Sequence, residues 1–473
     1  MSNFRRVPIT AGCAVAVTAV GLLTGCASQS ERVSAELPAA LEWGPHAAAA
    51  WPARDWFRGF GSAELNGLVS EALAGNLDLQ AAAERIVQAD ARARQAHAAL
   101  LPSVALNPNA DFLAGHSSNG SSHELDYGVL LSASYEVDFW GRNRAKAQSA
   151  AYLGTAARAD RETLRLTTEA AVAATYFQVL SLRERLVTAR ANVAAASTLL
   201  DVVQMRFKAG YATPVEVASE RAALAALQAA IPTLEQSQTQ ALAALALLLG
   251  RPPEHFDVQG ASLTSLHEPV VVPGIPAELL QRRPDVALAE ANLAAAHADL
   301  AAARAALFPS LTLTAAGGAQ NPAVNAAVDT LAGFGPSVSL TASLVQTIFD
   351  AGRLRAQARE AQSRERELLL AYRASILAAL EDVETSLAAV ARLDAARPAQ
   401  EQLLAESERA LEGATARYRK GYGDLLSVLQ AQRTVYAARD ALTQYRLARL
   451  QALVSLCKAL GGGWQRDELD ARH

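Results

Sequence analysis

The sequence is poor in cysteine, with Cys13, Cys26 and Cys457 too far apart among its 473 residues to form a disulfide framework. Hydrophobic residues make up 51% of the chain and aromatic residues only 5%. Much of the non-aromatic hydrophobic share is alanine. Because alanine favours helix and lets neighbouring helices approach closely, this composition predicts a protein of long helices. The net charge of −4 gives no basic bias, so we predict no nucleic-acid partner.

Motifs of catalysis and metal binding are also missing. The sequence contains no phosphate loop, no Gly-x-Ser-x-Gly and no Cys-x-x-Cys. His97, His116, His123 and His297 show no ligand spacing, so we predict exposed loop histidines and no metal site. After the N-terminus, no stretch offers the ~20 uninterrupted apolar residues of a membrane-spanning helix. We therefore predict neither an enzyme nor a cofactor-binding protein.

The N-terminus has the pattern of an export signal, since Arg5 and Arg6 precede an apolar run over 9–23. Leu23-Thr24-Gly25-Cys26 then resembles the bacterial lipobox, in which the cysteine is acylated and becomes the first residue. The alternative is an ordinary signal peptide with an incidental cysteine. We predict a lipoprotein signal peptide over 1–25 and a covalent lipid, such as palmitate, on Cys26. Ala27 after the cysteine favours sorting to the outer membrane.

The chain carries an internal duplication. Leu101-Pro102-Ser103 matches Phe308-Pro309-Ser310 at a distance of 207 residues, and Arg206 to Tyr211 matches Arg417 to Tyr422 at a distance of 211. A tandem repeat predicts two similar halves. We place the repeats at 65–250 and 276–464, with a proline-rich linker at 251–275 between them. An extended segment over 26–64 precedes the repeats, and a tail over 465–473 follows them.

Each repeat has one region with the period of two that is typical of β strands, at about 103–138 and about 310–345. Apolar and polar side chains alternate along both regions, which predicts strands with one apolar and one polar face. Turns are predicted over Gly115 to Ser122 and at Gly317-Gly318 and Asn321-Pro322. One hairpin in each repeat gives four strands in the chain.

Between the hairpins the pattern is that of very long helices. No proline occurs from Gly141 to Thr213, and a helix over 142–207 would be about 100 Å long at ~1.5 Å per residue. Apolar residues recur through it at steps of four and three, as in a coiled coil. Gly210-Tyr211 and Gly421-Tyr422 mark the two helix ends, because glycine supplies the backbone conformation that ends a helix.

Four strands cannot form a transmembrane barrel alone, because known barrels begin at about eight strands. An open sheet in lipid would leave unpaired edges in hydrocarbon, so several chains would have to share one barrel. The alternative is a soluble sheet packed on helices, which the alternation fits equally well. The lipobox favours the barrel, because it places the chain at a membrane surface.

Six segments carry a resemblance to a known family. The chain resembles the TolC-like outer membrane efflux proteins over nearly everything after Cys26, and above all the OprM-type efflux lipoproteins. The segments are YEVDFWGR (135–142), TTEAAVAATYFQVL (167–180), IPAELLQRRPDVALAEANL (275–293), ALFPSLTL (306–313), IFDAGRL (348–354) and KALGGGW (458–464).

The resemblance implies a mainly α fold with a small β part. Three chains would form a twelve-stranded β-barrel in the outer membrane, continuous with a twelve-helix α-barrel in the periplasm. The homotrimer would be a passive conduit of a tripartite pump, as in multidrug resistance. It would receive drugs or other small toxic molecules from an inner-membrane RND pump through a periplasmic adaptor. No catalysis and no cofactor are implied.

The resemblance also implies where the functional residues lie. Arg417 and Tyr418 would hydrogen-bond a neighbouring helix and hold the tip closed, or they would simply cap the helix and cover apolar surface. Leu426 matches an apolar position of the pore constriction. The residues at the tip, where the adaptor docks, are Arg206, Gly210, Tyr211, Arg417, Tyr418, Gly421 and Tyr422.

One constriction position departs from the family pattern. Relatives with Leu-Leu-Asp-Ala-Gln-Arg place an aspartate ring there, whereas this chain has Gln430. Three carboxylates attract cations and three glutamines do not, so we predict a weaker cation preference and weaker block by divalent or trivalent cations. Two other functions stay open at this point. One is a channel of the same architecture for one-step protein secretion, and the other is a lipid-anchored periplasmic coiled-coil scaffold without a pore.

Overall fold

The computed structural model describes residues 51–117, 120–271, 279, 281–325 and 335–467. The predicted signal peptide, Cys26, residues 26–50 of the predicted extended segment and residues 468–473 of the predicted tail lie outside these ranges. The α helices are α1 (Ala63–Gly75), α2 (Leu77–Ala98), α3 (Arg142–Lys208), α4 (Pro214–Leu248), α5 (Pro284–Ala305), α6 (Arg353–Arg419) and α7 (Leu425–Ala459). The strands are β1 (Ser103–Ser117), β2 (Gly120–Val137), β3 (Ser310–Asn325) and β4 (Gly335–Val345).

The duplication is visible in the lengths of the helices. The long helices α3 and α6 each have 67 residues, and the helices that follow them, α4 and α7, each have 35. The helices that lead into the two hairpins of strands, α2 and α5, each have 22. At ~1.5 Å per residue, α3 and α6 are each about 100 Å long, as the proline-free sequence of the first repeat predicts.

Helix α3 is the centre of the helical part. Near its start it packs against α2 and α5, and further along it packs against α4 and α7. Ion pairs link α3 to its neighbours in both parts: Arg158 pairs with Asp90 of α2, and Arg185 pairs with Asp440 of α7. Among the described helices, α3 alone is long and apolar enough to cross a membrane by length and composition. Packed core helices pass the same test, so we do not treat α3 as a membrane span.

The main core surrounds the middle of α3. Phe177 and Leu180 of α3 pack there with Phe60 from the segment before α1 and Leu453 from α7. Trp56–Phe60 forms a short 3-10 helix, although the predicted extended segment has no helix there. The Trp56 indole donates to the buried Glu169 carboxylate (3.2 Å), so a contact distant in sequence fixes this turn.

The sequence Arg282-Arg283-Pro284-Asp285 has a structural role in this fold. Arg283 is buried and donates to Asp285 (2.6 Å), to Asp382 of α6 (2.8 Å) and to the Ala459 carbonyl of α7 (3.2 Å). Pro284 begins α5, where a missing backbone N–H costs nothing. This arginine therefore ties the start of α5 to α6 and α7.

The four strands form one antiparallel sheet in the order β1-β2-β3-β4. The register places apolar residues of adjacent strands opposite each other, as in Leu106↔Leu131, Tyr135↔Leu313 and Leu311↔Leu344. Directly paired residues point to the same side of a sheet, so the alternation within each strand adds up to one apolar and one polar face.

The turn predicted at Gly317-Gly318 and Asn321-Pro322 is wrong, because β3 continues through these residues to Asn325. Gly318 pairs with Leu130 on one side and Ser337 on the other. A Cβ at Gly318 would lie 2.1 Å from the Val129 carbonyl oxygen, so the glycine permits close approach of two strands rather than a chain reversal. Strand β1 likewise extends through Gly115 to Ser117, beyond the predicted start of its turn.

Candidate functional site at the sheet and the helical tips

The apolar face of the sheet is uncovered. Val338, Leu340 and Leu344 of β4 are 89%, 83% and 70% exposed, and Leu106 of β1 is 64% exposed. Within the described ranges, the extensive contacts of each strand are with other strands, and no helix packs across the sheet. The outer edges of β1 and β4 have no strand partner among the described residues. An exposed apolar face of this kind marks an interaction surface, and each open edge presents unpaired N–H and C=O groups.

The opposite face carries hydroxyl and amide groups. It includes Asn107, whose amide donates to the Ser132 hydroxyl (2.8 Å) on the neighbouring strand. On β3 and β4 the residues of this face are mostly small and polar. They are Thr312, Thr314, Ser339, Thr341 and Ser343. Such a face suits contact with water.

Large apolar side chains gather where the strands meet the helices. Trp140 stacks on Phe308 with ring centroids 4.6 Å apart, and its indole donates to the Pro309 carbonyl (2.9 Å). Phe139 and Phe349 are 73% and 87% exposed at the same end of the sheet. Aromatic rings at one end of an apolar band are typical of a membrane–water interface.

The two long helices end in the same motif. After α3, the Gly210 N–H donates to the Phe207 carbonyl (3.0 Å) and the Tyr211 N–H to the Arg206 carbonyl (2.8 Å). After α6, Gly421 and Tyr422 make the equivalent bonds to Tyr418 and Arg417, at 3.0 and 2.9 Å. Gly210 and Gly421 have φ angles of +77° and +81°, which side-chain-bearing residues rarely adopt. We call α3 with α4 the first hairpin and α6 with α7 the second hairpin.

Arg206 joins the two hairpins of one chain at their tips. Its guanidinium lies 4.5 Å from the centre of the Tyr418 ring, and its Nη1 donates to the Tyr418 carbonyl. Tyr418 is 1% exposed, whereas Arg417 is exposed at the surface. The sequence-based expectation assigned the hydrogen bond to Arg417 and Tyr418 side chains, but the Tyr418 hydroxyl has no partner among the described residues. Bonding by Arg417 to a neighbouring helix stays a prediction.

The first turns of α7 present an exposed face beside the tip. Leu426 is 75% exposed, and Gln430 and Arg433 follow it at the surface one and two turns later. Because residues three or four apart share a helix face, the amide of Gln430 and the charge of Arg433 lie next to each other. Tyr211 and Tyr422 are also exposed, at 77% and 79%. The tip therefore offers apolar and basic surface.

A buried acidic residue lies behind this surface, and the sequence analysis missed it. Glu220 of α4 is 0% exposed, and neither of its carboxyl oxygens has a hydrogen-bond partner among the described residues. Burial raises the pKa of Glu220 to about 7. It follows the buried Val217 at a spacing of three, and this shared helix face is the signal that could have found it.

No reactive centre emerges among the described residues. They contain no cluster of three His, Cys, Asp or Glu side chains suited to a metal ion. His297 lies 2.6 Å from the Glu365 carboxylate on the neighbouring helix, which accounts for it as an inter-helix contact. Burial raises the pKa of the Cys457 thiol to about 12, so this cysteine is unreactive at neutral pH.

Comparisons with known proteins agree with this architecture. The sequence model described as "Outer membrane efflux protein" matches residues 68–251 and 275–462. The "Pyoverdine export outer membrane protein OpmQ" of Pseudomonas aeruginosa is 42% identical over 95% of this chain and 97% of its own length. The solved outer-membrane channel OprN is 29% identical, with a TM-score of 0.80 over 87% of this chain and 92% of its own. The open state of the Neisseria gonorrhoeae MtrE outer membrane channel has a TM-score of 0.75 at 29% identity, covering 85% of this chain and 90% of its own.

Proposed function

The chain belongs to the outer membrane efflux protein family, and we propose that it is the trimeric outer-membrane conduit of a tripartite, RND-type efflux pump. The family consists of efflux channels of the outer membrane that extend into the periplasm, and it is not a family of enzymes.

The sheet is the observation that carries the proposal. Its apolar face is continuous over four strands, and in the part of the chain that the structure describes no helix covers it and the outer edges of β1 and β4 are open. If β4 of one copy pairs with β1 of the next, every backbone group in the lipid gains a partner and the ring closes. Three copies give twelve strands, enough for a barrel with a polar lumen. The exposed aromatic residues around Trp140 support a membrane boundary at the strand–helix junction.

The helical hairpins would then form the periplasmic tube. Leu426, Gln430 and Arg433 share one exposed face of α7, and we place that face at the constriction of the lumen. A ring of three Leu426 side chains would narrow and dry the pore. Gln430, unlike an aspartate at this position, carries no charge, so it does not neutralise Arg433 one turn later. We therefore propose a constriction with little cation preference.

The partners follow from the position of the tips. We propose that the exposed turns at Gly210-Tyr211 and Gly421-Tyr422 dock a periplasmic adaptor, which links the conduit to an inner-membrane pump. We also propose that Cys26 carries the lipid that anchors the chain to the outer membrane. Replacing Cys26 with serine should abolish incorporation of labelled palmitate, and cross-linking at Tyr422 should capture the adaptor.

The proposed cargo is drugs or other small toxic molecules. A second candidate rests on OpmQ, the relative with 42% identity, whose name assigns it to pyoverdine export. Loss of secreted pyoverdine-like product in a deletion strain, without a change in drug susceptibility, would favour the second candidate. The reverse result would favour the first.

The most direct test of the pore is single-channel recording from purified protein. We expect a heat-sensitive trimer band on a gel and discrete conductance steps in planar bilayers. A scaffold lipoprotein gives no steps. A protein-secretion channel gives steps, but its deletion would block release of a secreted protein rather than raise susceptibility to small molecules.

A matched pair of substitutions on β4 tests which face meets lipid. Leu340→Arg places a charge on the apolar face, where arginine costs about 2–4 kcal/mol near the bilayer midplane, so we expect loss of membrane-inserted trimer. Thr341→Arg lies next to it on the polar face, and we expect normal assembly with altered conductance. Equal amounts of heat-sensitive trimer from both variants would contradict the proposed barrel.

A further inference from the structure

Glu220 lies where the two hairpins of one chain meet near the tip. It belongs to the first hairpin, and Val217, one turn before it on α4, packs with Tyr418 of α6 and Val428 of α7 in the second hairpin. Burial raises the pKa of the Tyr418 phenol and of the Tyr436 phenol on α7, and the Glu220 carboxyl contributes to both increases. The carboxyl is thus enclosed by this chain's own helices and placed between the hairpins.

The polar groups at this point are not matched by hydrogen bonds. Among the described residues, no partner is found for either carboxyl oxygen of Glu220, for the hydroxyls of Tyr418 and Tyr436, or for Nε of Arg206. Four helices contribute to the cluster, since Arg206 lies on α3. A buried carboxylate without a partner costs far more than a neutral carboxylic acid, so the packed arrangement favours the protonated form.

The charged groups nearby do not compensate Glu220. Arg206 on α3 is engaged by the ring and carbonyl of Tyr418. Arg439 on α7 donates to Glu408 of α6 (2.7 Å). On α4 itself, Glu216 accepts from the Thr213 N–H in the helix cap (2.6 Å) and adds a like charge. Neither arginine forms an ion pair with Glu220 among the described residues, and burial is the cause of its raised pKa.

We propose that Glu220 is a proton-controlled latch, in which the neutral acid lets the two hairpins stay packed at the tip and the carboxylate favours their separation. The inference rests on the proposed function, since it concerns the opening of the same tip. Separated hairpins would expose Glu220 to water and return it to the ordinary behaviour of a glutamate. The closed arrangement therefore binds the proton more tightly than the open one.

The direction of the pH effect follows from this difference. The pKa is about 7 in the closed arrangement and 4.5 for an ordinary glutamate. Between these values the closed form keeps the proton and the open form loses it, so the closed form is favoured at low pH. The ratio of closed to open form falls as pH rises and becomes constant above the pKa of Glu220 in the closed form. The full change in the closed-to-open ratio is on the order of 100-fold.

The test uses the purified full-length trimer in planar bilayers between pH 4 and 8. We expect the conducting fraction of the unmodified protein to rise with pH and to reach a plateau above about pH 7. Glu220→Gln keeps the shape of the side chain but cannot ionise, so its conducting fraction should stay low and flat. Glu412→Gln removes an exposed carboxyl near the tip on α6 and should behave like the unmodified protein.

Hydrogen exchange of peptides covering 206–224 and 412–436 gives a second readout that does not need conduction. After correction for the intrinsic pH dependence of exchange, tip protection should fall with pH in the unmodified trimer and not in Glu220→Gln. The latch would be overturned if the conducting fraction of the unmodified trimer did not change with pH. It would also be overturned if Glu220→Gln showed the same pH dependence as the unmodified protein. An absence of steps at every pH would instead overturn the proposed channel.

Discussion

The tips of the two hairpins share one backbone motif but have opposite surroundings. Phe207 and Tyr418 occupy the same place in the repeat, yet Phe207 is 44% exposed and Tyr418 is 1% exposed. Their neighbours Arg206 and Arg417 are also equivalent, but Arg206 lies over the Tyr418 ring while Arg417 is exposed. The two copies of the repeat therefore share a backbone conformation at the tip but differ in which side chains are buried.

The long helices above the tips differ in the same way. Helix α3 has buried residues along most of its length, because it packs against α2, α4, α5 and α7. In α6 the buried residues after Ser386 are Ser407 and Tyr418. Helix α6 therefore leaves most of its surface between Ser386 and Tyr418 exposed, whereas α7 packs on α3 and contributes to the main core.

The largest difference between the hairpins should appear when the equivalent aromatic residues are truncated. Tyr418→Ala removes a buried ring and leaves a cavity, which costs about 3–5 kcal/mol of local stability. Phe207→Ala removes a half-exposed ring and should cost less than about 1 kcal/mol. Opening free energies of the tip peptides from native-state hydrogen exchange measure both, and equal losses would show that the two copies are equivalent after all.

A smaller effect should separate the equivalent arginines. Arg206→Ala removes the cation–π contact and a hydrogen bond, together worth about 1–3 kcal/mol, so the tip should open more often and the mean conductance should rise. Arg417→Ala removes no contact of this kind within its own chain and should change conductance less. If Arg417→Ala opened the tip more than Arg206→Ala, the closing contact would lie between subunits rather than between the two hairpins of one chain.

The smallest expected change is one of selectivity. Gln430→Asp places a carboxylate one turn before Arg433, which should restore cation preference and block by divalent cations without affecting assembly. Ser219 holds the equivalent exposed position in the first hairpin, so Ser219→Asp is the matched control and should shift the reversal potential less. Reversal potentials in a salt gradient decide between them. Unchanged selectivity in Gln430→Asp would remove this residue from the constriction.

Local patterns predicted the elements well and their partners poorly. The alternation from Val129 to Val137 predicted a strand, and Gly210 predicted a helix end. Both predictions succeeded because strand faces and helix ends depend on nearby residues. Gly318 was misread as a turn, since its close approach to Val129 depends on a strand nearly two hundred residues earlier in the chain. Glu220 was missed for a related reason, because a charged residue is usually exposed and only its neighbours in space reveal its burial.

In the proposed channel the apolar face of the sheet meets lipid while the polar face lines a lumen. Single cysteines at Leu340 and Thr341 test it in intact outer membranes with a water-soluble maleimide, against the low background of the buried Cys457. We predict that Thr341→Cys is labelled through the lumen and that Leu340→Cys is labelled only after the protein is denatured. Equal labelling of the two cysteines in the native membrane would show that the two faces are not divided between lipid and lumen.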